Sequence, residues 1–375
     1  MNKIPYSLPY LTGNEQLYIN KAFNAGILHG DGPFTHQCES LLAELTDSRK
    51  HLLTHSCTGA LEMAAMLLNL QSGDEVIMPS YTFVSTANAF ILHGGVPVFV
   101  DIDENTPNMN VRACAEAITQ KTKAIVAVNY GGCCAPLDEL VTLSRKHDLV
   151  LIEDAAQSIG ASYKGRPQGS FGDLATFSFH GTKNIVCGEG GSLAINNPQF
   201  IERAEIIREK GTNRSLFMSG QVDKYTWVDK GSSFLPSELS AACLLAQLEK
   251  VDEINEMRLK AWNYYASVFA ELRDSGRVEM MQIPEGCQHN AHVFYLMLHS
   301  LEDRNGFLSW MGEKKIQATF HYVPLHSSPA GKKYARVSGS MFNTDKAFER
   351  LVRLPLYPDV EFQRVIDTAL SYLKK

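Results

Sequence analysis

The segment Leu149-Val-Leu-Ile-Glu-Asp-Ala-Ala-Gln157 decides the fold class. Its apolar run is continuous rather than alternating, which is typical of a strand buried on both faces of a parallel sheet. The run ends at Glu153 and Asp154, and small residues follow. Ligands of open α/β sheets bind beyond the carboxyl ends of the strands, so Asp154 is predicted to face a ligand. A helix N-cap is an equally good interpretation of Asp154 from this segment alone.

Similar apolar runs alternate with helical patterns on both sides of this segment. The predicted strands are His51–His55, Glu75–Pro79, Val96–Asp101, Ala124–Asn129, Leu149–Glu153, Ala175–Phe179 and Ser192–Asn196. The predicted helices between them are Gly59–Leu70, Val111–Ala117, Leu137–His147 and Pro198–Glu209. This alternation predicts a doubly wound α/β domain with a mostly parallel sheet.

The pattern changes in the last third of the chain. A long helix is predicted from Ser237 past Ile254 towards Phe269. Beyond it we expect strands and helices in a different order, namely strands at Val293–Leu298 and Thr319–Tyr322 and helices at Arg304–Lys314 and from Thr344 onward. We therefore predict a large α/β domain over residues 1–250 and a small α+β domain over residues 251–375.

Composition excludes several classes of protein. The 375 residues are 45% hydrophobic and carry a formal net charge of -6, with no basic stripe for nucleic acid. The start of the chain lacks a signal-peptide h-region, and no apolar stretch is long enough to cross a membrane, so a cytoplasmic protein is expected. The eight cysteines include no C-x-x-C pair. We expect no metal site and no disulfide framework, and most thiols should be buried and reduced.

A second segment whose residues could take part in catalysis is Ala175-Thr-Phe-Ser-Phe-His-Gly-Thr-Lys183. The glycine cluster Gly188-Glu-Gly-Gly191 follows it. A strand runs into a turn that carries one lysine, and the glycines permit sharp bends or close backbone contacts. A lysine partly desolvated beside a buried strand has a lowered pKa and is nucleophilic towards an aldehyde. Taken alone, an ordinary surface lysine is the more frequent explanation of such a pattern.

Two more segments follow strands in the same way. In Leu53-Thr-His-Ser-Cys-Thr-Gly59 a strand turns into a helix through small hydroxyl residues, which suits a phosphate but also fits plain helix capping. In Pro79-Ser-Tyr-Thr-Phe83 an aromatic follows a strand, where it could stack on a flat ring or belong to the core. All four segments together predict a phosphate site, a ring platform, a partner for a pyridinium nitrogen and an amine nucleophile. That set indicates pyridoxal 5'-phosphate (PLP).

These residues make the chain resemble the DegT/DnrJ/EryC1/StrS family of sugar-nucleotide aminotransferases, within the fold-type I PLP enzymes. The resemblance covers essentially the whole chain, including Phe320-His-Tyr-Val-Pro-Leu-His326. The stretches Ile206–Ser215 and Gln221–Trp227 are most similar to one branch of the family. That branch aminates dTDP-4-oxo-6-deoxy-D-glucose to dTDP-4-amino-4,6-dideoxy-D-galactose for enterobacterial common antigen.

The resemblance implies a role for each matching residue. Lys183 would be the Schiff-base lysine and Asp154 the partner of the pyridine nitrogen. The other implied cofactor contacts are Gln157 near the ring hydroxyl, Phe83 on the ring face, and Cys57, Thr58 and Ser178 at the phosphate. His326 would line the sugar pocket. The implied donor is L-glutamate, pyridoxamine phosphate is the implied intermediate, and a homodimer with shared active sites is expected.

The chain departs from the family pattern at two places. Ser233 and Leu235 stand where many members carry the Asn and Arg of a motif whose Asn reaches the partner subunit's phosphate, so Ser233 is the candidate for that contact. Asn129 stands where a His is frequent. Other functions considered are amination at C3 or with gluco stereochemistry, a PLP-dependent sugar dehydratase and a non-catalytic PLP-fold protein. The dehydratases replace the lysine with histidine, whereas this chain keeps Lys183.

Overall fold

A central eight-stranded sheet forms the framework of the molecule in the computed structural model, which describes residues 2–374. In chain order its strands are β1 (Lys50–Thr54), β2 (Glu75–Pro79), β3 (Val96–Val100), β4 (Thr122–Val128), β5 (Val150–Asp154), β8 (Leu174–Ser178), β9 (Gly191–Ile195) and β13 (Arg336–Val337). The spatial order is β1-β9-β8-β5-β4-β2-β3-β13. All neighbours are parallel except β9, which runs antiparallel to both β8 and β1.

The predicted α/β fold class is confirmed. Each of the seven predicted strands of the first domain corresponds to a strand of the central sheet, with ends shifted by at most two residues. The strands are almost entirely buried, as expected for a sheet covered on both faces. Because β2, β4, β5 and β8 are parallel neighbours, their carboxyl ends lie at one edge of the sheet.

Ten α-helices lie between residues 2 and 280. They are α1 (Glu15–Ala25), α2 (Pro33–Thr46), α3 (Cys57–Leu67), α4 (Val84–Leu92), α5 (Val111–Ala117), α6 (Leu137–Lys146), α7 (Ile201–Arg208), α8 (Arg214–Met218), α9 (Glu238–Leu248) and α10 (Val251–Asp274). The predicted single helix from Ser237 to Phe269 is wrong in one respect, because the chain breaks at Lys250, whose φ of -123° is not helical. Helices α1, α2, α4 and α8 were not predicted.

The C-terminal part contains a second sheet, with strands β10 (Glu279–Met280), β12 (Phe294–Met297) and β14 (Leu351–Leu354) in the order β10-β12-β14. Its helices are α11 (Leu301–Glu313), α12 (Pro329–Tyr334), α13 (Phe342–Arg350) and α14 (Phe362–Leu373). A separate apolar core joins this sheet to α10, α11 and α14. The division into two domains at residue 250 stays a prediction.

Two predictions for the C-terminal part are wrong. The segment Thr319–Tyr322 is not a strand, since it forms a single bridge from Thr319 to Arg353. The carbonyl of His321 instead accepts hydrogen bonds from the hydroxyls of Tyr81 and Tyr130. The helix that begins near Thr344 ends at Arg350, and the apolar residues that follow it pair with β12.

A small third sheet lies beside the first, with strands β6 (Ser162–Tyr163), β7 (Arg166–Pro167) and β11 (Cys287–Gln288). Next to it, Cys134 and Cys287 form a disulfide across 153 residues of sequence. The other six cysteines are free, as expected for most of them. This pair was not anticipated, because folding brings together two thiols that no local spacing connects. Among residues 2–374, no helix is long and apolar enough to span a membrane.

Candidate active site

A cavity of about 510 Å³ opens where the parallel strands end. Its walls come from the ends of β4, β5 and β8, the first turns of α3 and α4, and residues of the C-terminal part. Seven of the predicted site residues line it together: Cys57, Thr58, Phe83, Asp154, Gln157, Ser178 and Lys183. The place of the cavity agrees with the rule that ligands bind at the carboxyl edge of a parallel sheet.

Asp154 is the last residue of β5, and its carboxylate faces the cavity while only 6% of the residue is exposed. The hydroxyl of Thr86 donates to Oδ2 at 2.7 Å, and the Ala156 N–H donates to Oδ1 at 3.3 Å. Burial raises the pKa of Asp154, and these bonds and the nearby Lys183 oppose that rise. No helix starts after Asp154, so the N-cap interpretation is wrong. A buried carboxylate with few donors suits a cationic ring nitrogen.

Glu153 has a different role from its neighbour. Its side chain points to the other side of β5 and accepts the N–H groups of Gly169, Phe171 and Gly172 at 2.8, 2.8 and 2.9 Å. Asn129 adds a side-chain amide bond at 3.2 Å. The two acidic residues therefore have different roles. Glu153 holds the loop before β8 through backbone hydrogen bonds, whereas Asp154 faces the cavity.

Lys183 ends the turn after β8, where its N–H donates to the His180 carbonyl at 2.9 Å. The side chain reaches the cavity, which excludes a solvent-facing loop lysine. Burial lowers the pKa of the Lys183 amine, Cys57 and Asp154 partly offset that effect, and the charge of Arg353 reinforces it. A larger fraction of neutral amine makes Lys183 a better nucleophile and proton acceptor.

The first turn of α3 forms the opposite wall. Ser56 caps the helix by accepting the Gly59 N–H at 3.0 Å, so the capping interpretation also holds. The N–H groups of Cys57 and Thr58 have no acceptor within the helix, as in every first turn. A Cβ at Gly191 would lie 2.3 Å from the Cys57 nitrogen, which explains why the chain needs glycine there. This helix start is suited to a phosphate.

Phe83 and Gln157 flank the space between these walls. Phe83 is 55% exposed at the start of α4, so it is not a core residue. Its ring centroid lies 6.2 Å from that of Tyr322. Gln157 accepts the Gly131 N–H at 2.6 Å and donates to the Tyr322 hydroxyl at 2.9 Å. Phe83 is therefore available as a ring platform, and the Gln157 side chain is held in place beside it.

Several cavity residues were not found from the sequence. Thr86 lies one helical turn after Phe83, and this spacing could have suggested it. His292, Tyr322 and Arg353 come from distant parts of the chain and carried no local signal. Burial keeps His292 neutral by lowering its pKa far below the usual range, and its Nδ1 bonds the Asn184 side chain at 2.9 Å.

Two predicted site residues lie outside this cavity. Ser233 lines a separate surface depression with Lys210 and Arg214. His326 Nδ1 bonds the Ser80 hydroxyl at 2.8 Å, and its Nε2 lies 3.4 Å from Asp345. Within one protomer the structure therefore brings neither residue to the cofactor residues, and their roles stay predictions.

Comparison with known proteins decides the family. The model of the DegT/DnrJ/EryC1/StrS aminotransferase family matches residues 9–369. The chain belongs to this family. An uncharacterized protein of Methanocaldococcus jannaschii is 32% identical over 350 residues, which cover 92% of this chain and 90% of that protein.

Solved structures of aminotransferases superpose on the whole chain. The aminotransferase TlmJ from Streptoalloteichus hindustanus has a TM-score of 0.91 at 27% identity and covers 100% of this chain and 99% of its own. The putative sugar aminotransferase Spr1654 from Streptococcus pneumoniae, in its PMP form, has a TM-score of 0.91 at 27% identity and covers 100% and 98%. Spr1654 has also been solved with PLP. Enzymes of this family depend on PLP.

The residues of the cavity fit that cofactor. A buried carboxylate, an amine with a lowered pKa, an open helix N-terminus and an exposed aromatic ring face one space. These four features correspond in chemistry to the ring nitrogen, aldehyde, phosphate and ring face of PLP.

Proposed function

We propose that this member of the sugar aminotransferase family transfers the amino group of L-glutamate to dTDP-4-oxo-6-deoxy-D-glucose, giving dTDP-4-amino-4,6-dideoxy-D-galactose. The observation that carries the proposal of amino transfer is the placement of Lys183 and Asp154 in one cavity. The stretches Ile206–Ser215 and Gln221–Trp227 support the choice of sugar through their resemblance to one branch of the family.

The residues of the chain divide the work of transamination. Asp154 would hold the protonated ring nitrogen, and Thr86 donates to the carboxylate and orients it for that contact. The start of α3 would bind the phosphate of the cofactor. Lys183 would act as the base that moves protons. Its amine removes the proton from the donor's Cα and later returns a proton to the product. Bound PLP would supply the electron sink that this proton removal requires.

A homodimer with shared active sites is part of the proposal. Ser233 is exposed and lies outside its own cavity, so contact with a cofactor phosphate requires a second copy of the chain. A dimer would also cover apolar side chains that one protomer leaves in solvent outside the cavity, including Tyr225 and Trp227.

The test uses purified enzyme with PLP, L-glutamate and dTDP-4-oxo-6-deoxy-D-glucose. Lys183→Ala is expected to lose activity by about 10³-fold or more, because both proton transfers lose their base. Lys164→Ala is the control, since Lys164 is an exposed lysine that pairs with Asp138. Normal turnover by Lys183→Ala would exclude the proposed mechanism. NMR of the product should show an axial amine at C4, and an amine at C3 or an equatorial one would exclude the proposed substrate specificity.

A further inference from the structure

The cavity contains a guanidinium group that no carboxylate neutralises. Arg353 lies on β14 and lines the cavity with Lys183. Among residues 2–374, the structure gives Arg353 no ion pair with an Asp or Glu. Nearby arginines of the same part of the chain do have such pairs, Arg350 with Glu279 and Arg277 with Asp303.

The backbone and one neighbour fix the position of Arg353. Its N–H donates to the Thr319 carbonyl at 2.7 Å, and its carbonyl accepts the Thr319 N–H at 3.1 Å. The guanidinium Nη1 contacts Nδ1 of His321. Burial and the charge of Arg353 lower the pKa of His321 to about 3, so the imidazole is a neutral acceptor. One acceptor leaves most of the five guanidinium N–H groups available for a ligand.

The carboxylates that share the cavity have other partners. Asp154 is held by Thr86 and faces Lys183, and Glu189 lies 3.6 Å from the His180 ring. The charge of Arg353 is nevertheless felt at the Lys183 amine, whose pKa it helps to lower. A ligand whose reacting nitrogen meets Lys183 therefore has a cation within electrostatic reach.

We propose that Arg353 binds the α-carboxylate of the amino-acid donor and thereby selects α-amino acids over simple amines. The inference rests on the proposed function, in which an amino acid supplies the nitrogen. In an α-amino acid the carboxylate is bonded to the same carbon as the reacting amine, so it enters the cavity together with that amine. A guanidinium offers two parallel N–H donors that match a carboxylate, and the bound anion neutralises the unpaired charge of Arg353.

The experiment follows the donor half-reaction in the holoenzyme, through the absorbance change of the cofactor in a stopped-flow instrument. L-Glutamate is compared with 4-aminobutyrate, which keeps the distal carboxylate but lacks the α-carboxylate. In Arg353→Met we expect the apparent dissociation constant for glutamate to rise about 100-fold, while the reaction with 4-aminobutyrate changes by less than about 2-fold. Arg353→Lys should recover part of the loss with glutamate, because lysine restores the positive charge but not the two parallel N–H donors of the guanidinium.

Arg350→Met is the matched control, since Arg350 pairs with Glu279 outside the cavity. It should react with both donors as the unaltered enzyme does. An unchanged glutamate reaction in Arg353→Met overturns the inference, and so does an equal loss with both donors. A loss confined to the second half-reaction, with the ketosugar, would assign Arg353 to the nucleotide phosphates instead. If the unaltered enzyme reacts with no amino acid at all, the proposed function itself fails.

Discussion

At the scale of single residues, one hydroxyl fixes the carboxylate that is proposed to hold the cofactor ring. Thr86 donates to Asp154 at 2.7 Å in a buried setting, and this bond lowers the pKa of Asp154 against the effect of burial. Thr86→Val keeps the shape but removes the donor. Because a hydrogen bond to a charged group contributes about 1.5–3 kcal/mol, we expect PLP to bind roughly 10- to 100-fold more weakly.

The measurement is a titration of the apoprotein with PLP followed by absorbance. Thr86→Ser keeps a hydroxyl at the same position and should restore most of the affinity. Equal affinities of Thr86→Val and the unaltered protein would show that Asp154 does not depend on this bond.

The pH dependence of cofactor capture tests the environment of Lys183. Only the neutral amine attacks an aldehyde, so the rate should rise as the pH passes upward through a pKa below the ordinary 10.5. Asp154→Asn removes an anion that stabilises the ammonium, which lowers this pKa further and moves the midpoint to lower pH. Arg353→Met removes a repelling cation, so its midpoint moves to higher pH.

Borohydride trapping of PLP on the apoprotein, followed by mass spectrometry, measures this rate at each pH. Lys164→Ala should leave the midpoint unchanged, because Lys164 lies outside the cavity. Shifts in the opposite directions would contradict the electrostatic account of the site.

Sequence reasoning anticipated those cavity residues that stand at or after the ends of strands. Phe83, Asp154 and Lys183 could be predicted because strand ends and turns leave a local pattern, whereas Ser178 was implied only by the family resemblance. Arg353 and His292 could not, since each follows no motif and reaches the cavity only through the packing of the C-terminal part against the sheet. Their function depends on contacts that are distant in sequence, such as that of Arg353 with His321.

At the scale of elements, a carboxylate from one helix caps another. Glu238, at the start of α9, accepts the N–H groups of Phe34 and Thr35 at 2.8 and 3.0 Å and that of Gly32 at 3.2 Å. Helix α2 begins at Pro33 and has no side-chain cap of its own. We expect Glu238→Ala to destabilise the fold by about 2–4 kcal/mol, because it leaves buried donors without an acceptor and removes an anion from a helix N-terminus.

Denaturant unfolding of the holoenzyme measures this loss. Glu253→Ala is the control, since Glu253 forms an exposed pair with Lys250 and its loss should hardly change the unfolding midpoint. Similar unfolding midpoints for the two variants would show that the cap contributes little.

The same contact explains why α2 was not predicted. Its N-cap is Gly32, so the usual capping residue is missing from the local sequence and is supplied from residue 238. Strands of the central sheet were predicted more accurately because their continuous apolar runs are a local property. The short strand β14 was missed since its neighbours in sequence are helical, and pairing with β12 determines its conformation.

At the scale of the whole molecule, the order of strands is set by pairing that no local pattern reports. Strand β9 follows β8 in sequence and lies antiparallel between β8 and β1, although every other pair in the central sheet is parallel. A mostly parallel sheet could be predicted from the continuous apolar runs, but the antiparallel direction of β9 could not. Its position matters for the site, because Gly191 at its start packs against the first turn of α3.

The disulfide between Cys134 and Cys287 gives a further prediction at this scale. It ties the loop after β4 to β11 with a Cα–Cα distance of 5.8 Å across 153 residues. In the chain-entropy model, closing a loop of that length lowers the entropy of the unfolded chain and raises the free energy of unfolding by up to about 5 kcal/mol. We therefore expect Cys287→Ser to lower the unfolding midpoint of air-oxidised protein and to abolish the effect of added dithiothreitol on that midpoint.

The linked peptides should be visible by mass spectrometry of a non-reduced digest. Cys243→Ser is the matched control, because Cys243 is a free and only partly buried cysteine, and its midpoint should still fall on reduction. The prediction also bears on the expected cytoplasmic location. Glutathione and thioredoxin keep most cytosolic thiols reduced, so protein isolated under thiol-blocking conditions from a cytoplasm should carry this pair reduced. A fully oxidised pair in such a sample would mean either that this bond resists cellular reductants or that the protein resides in an oxidising compartment.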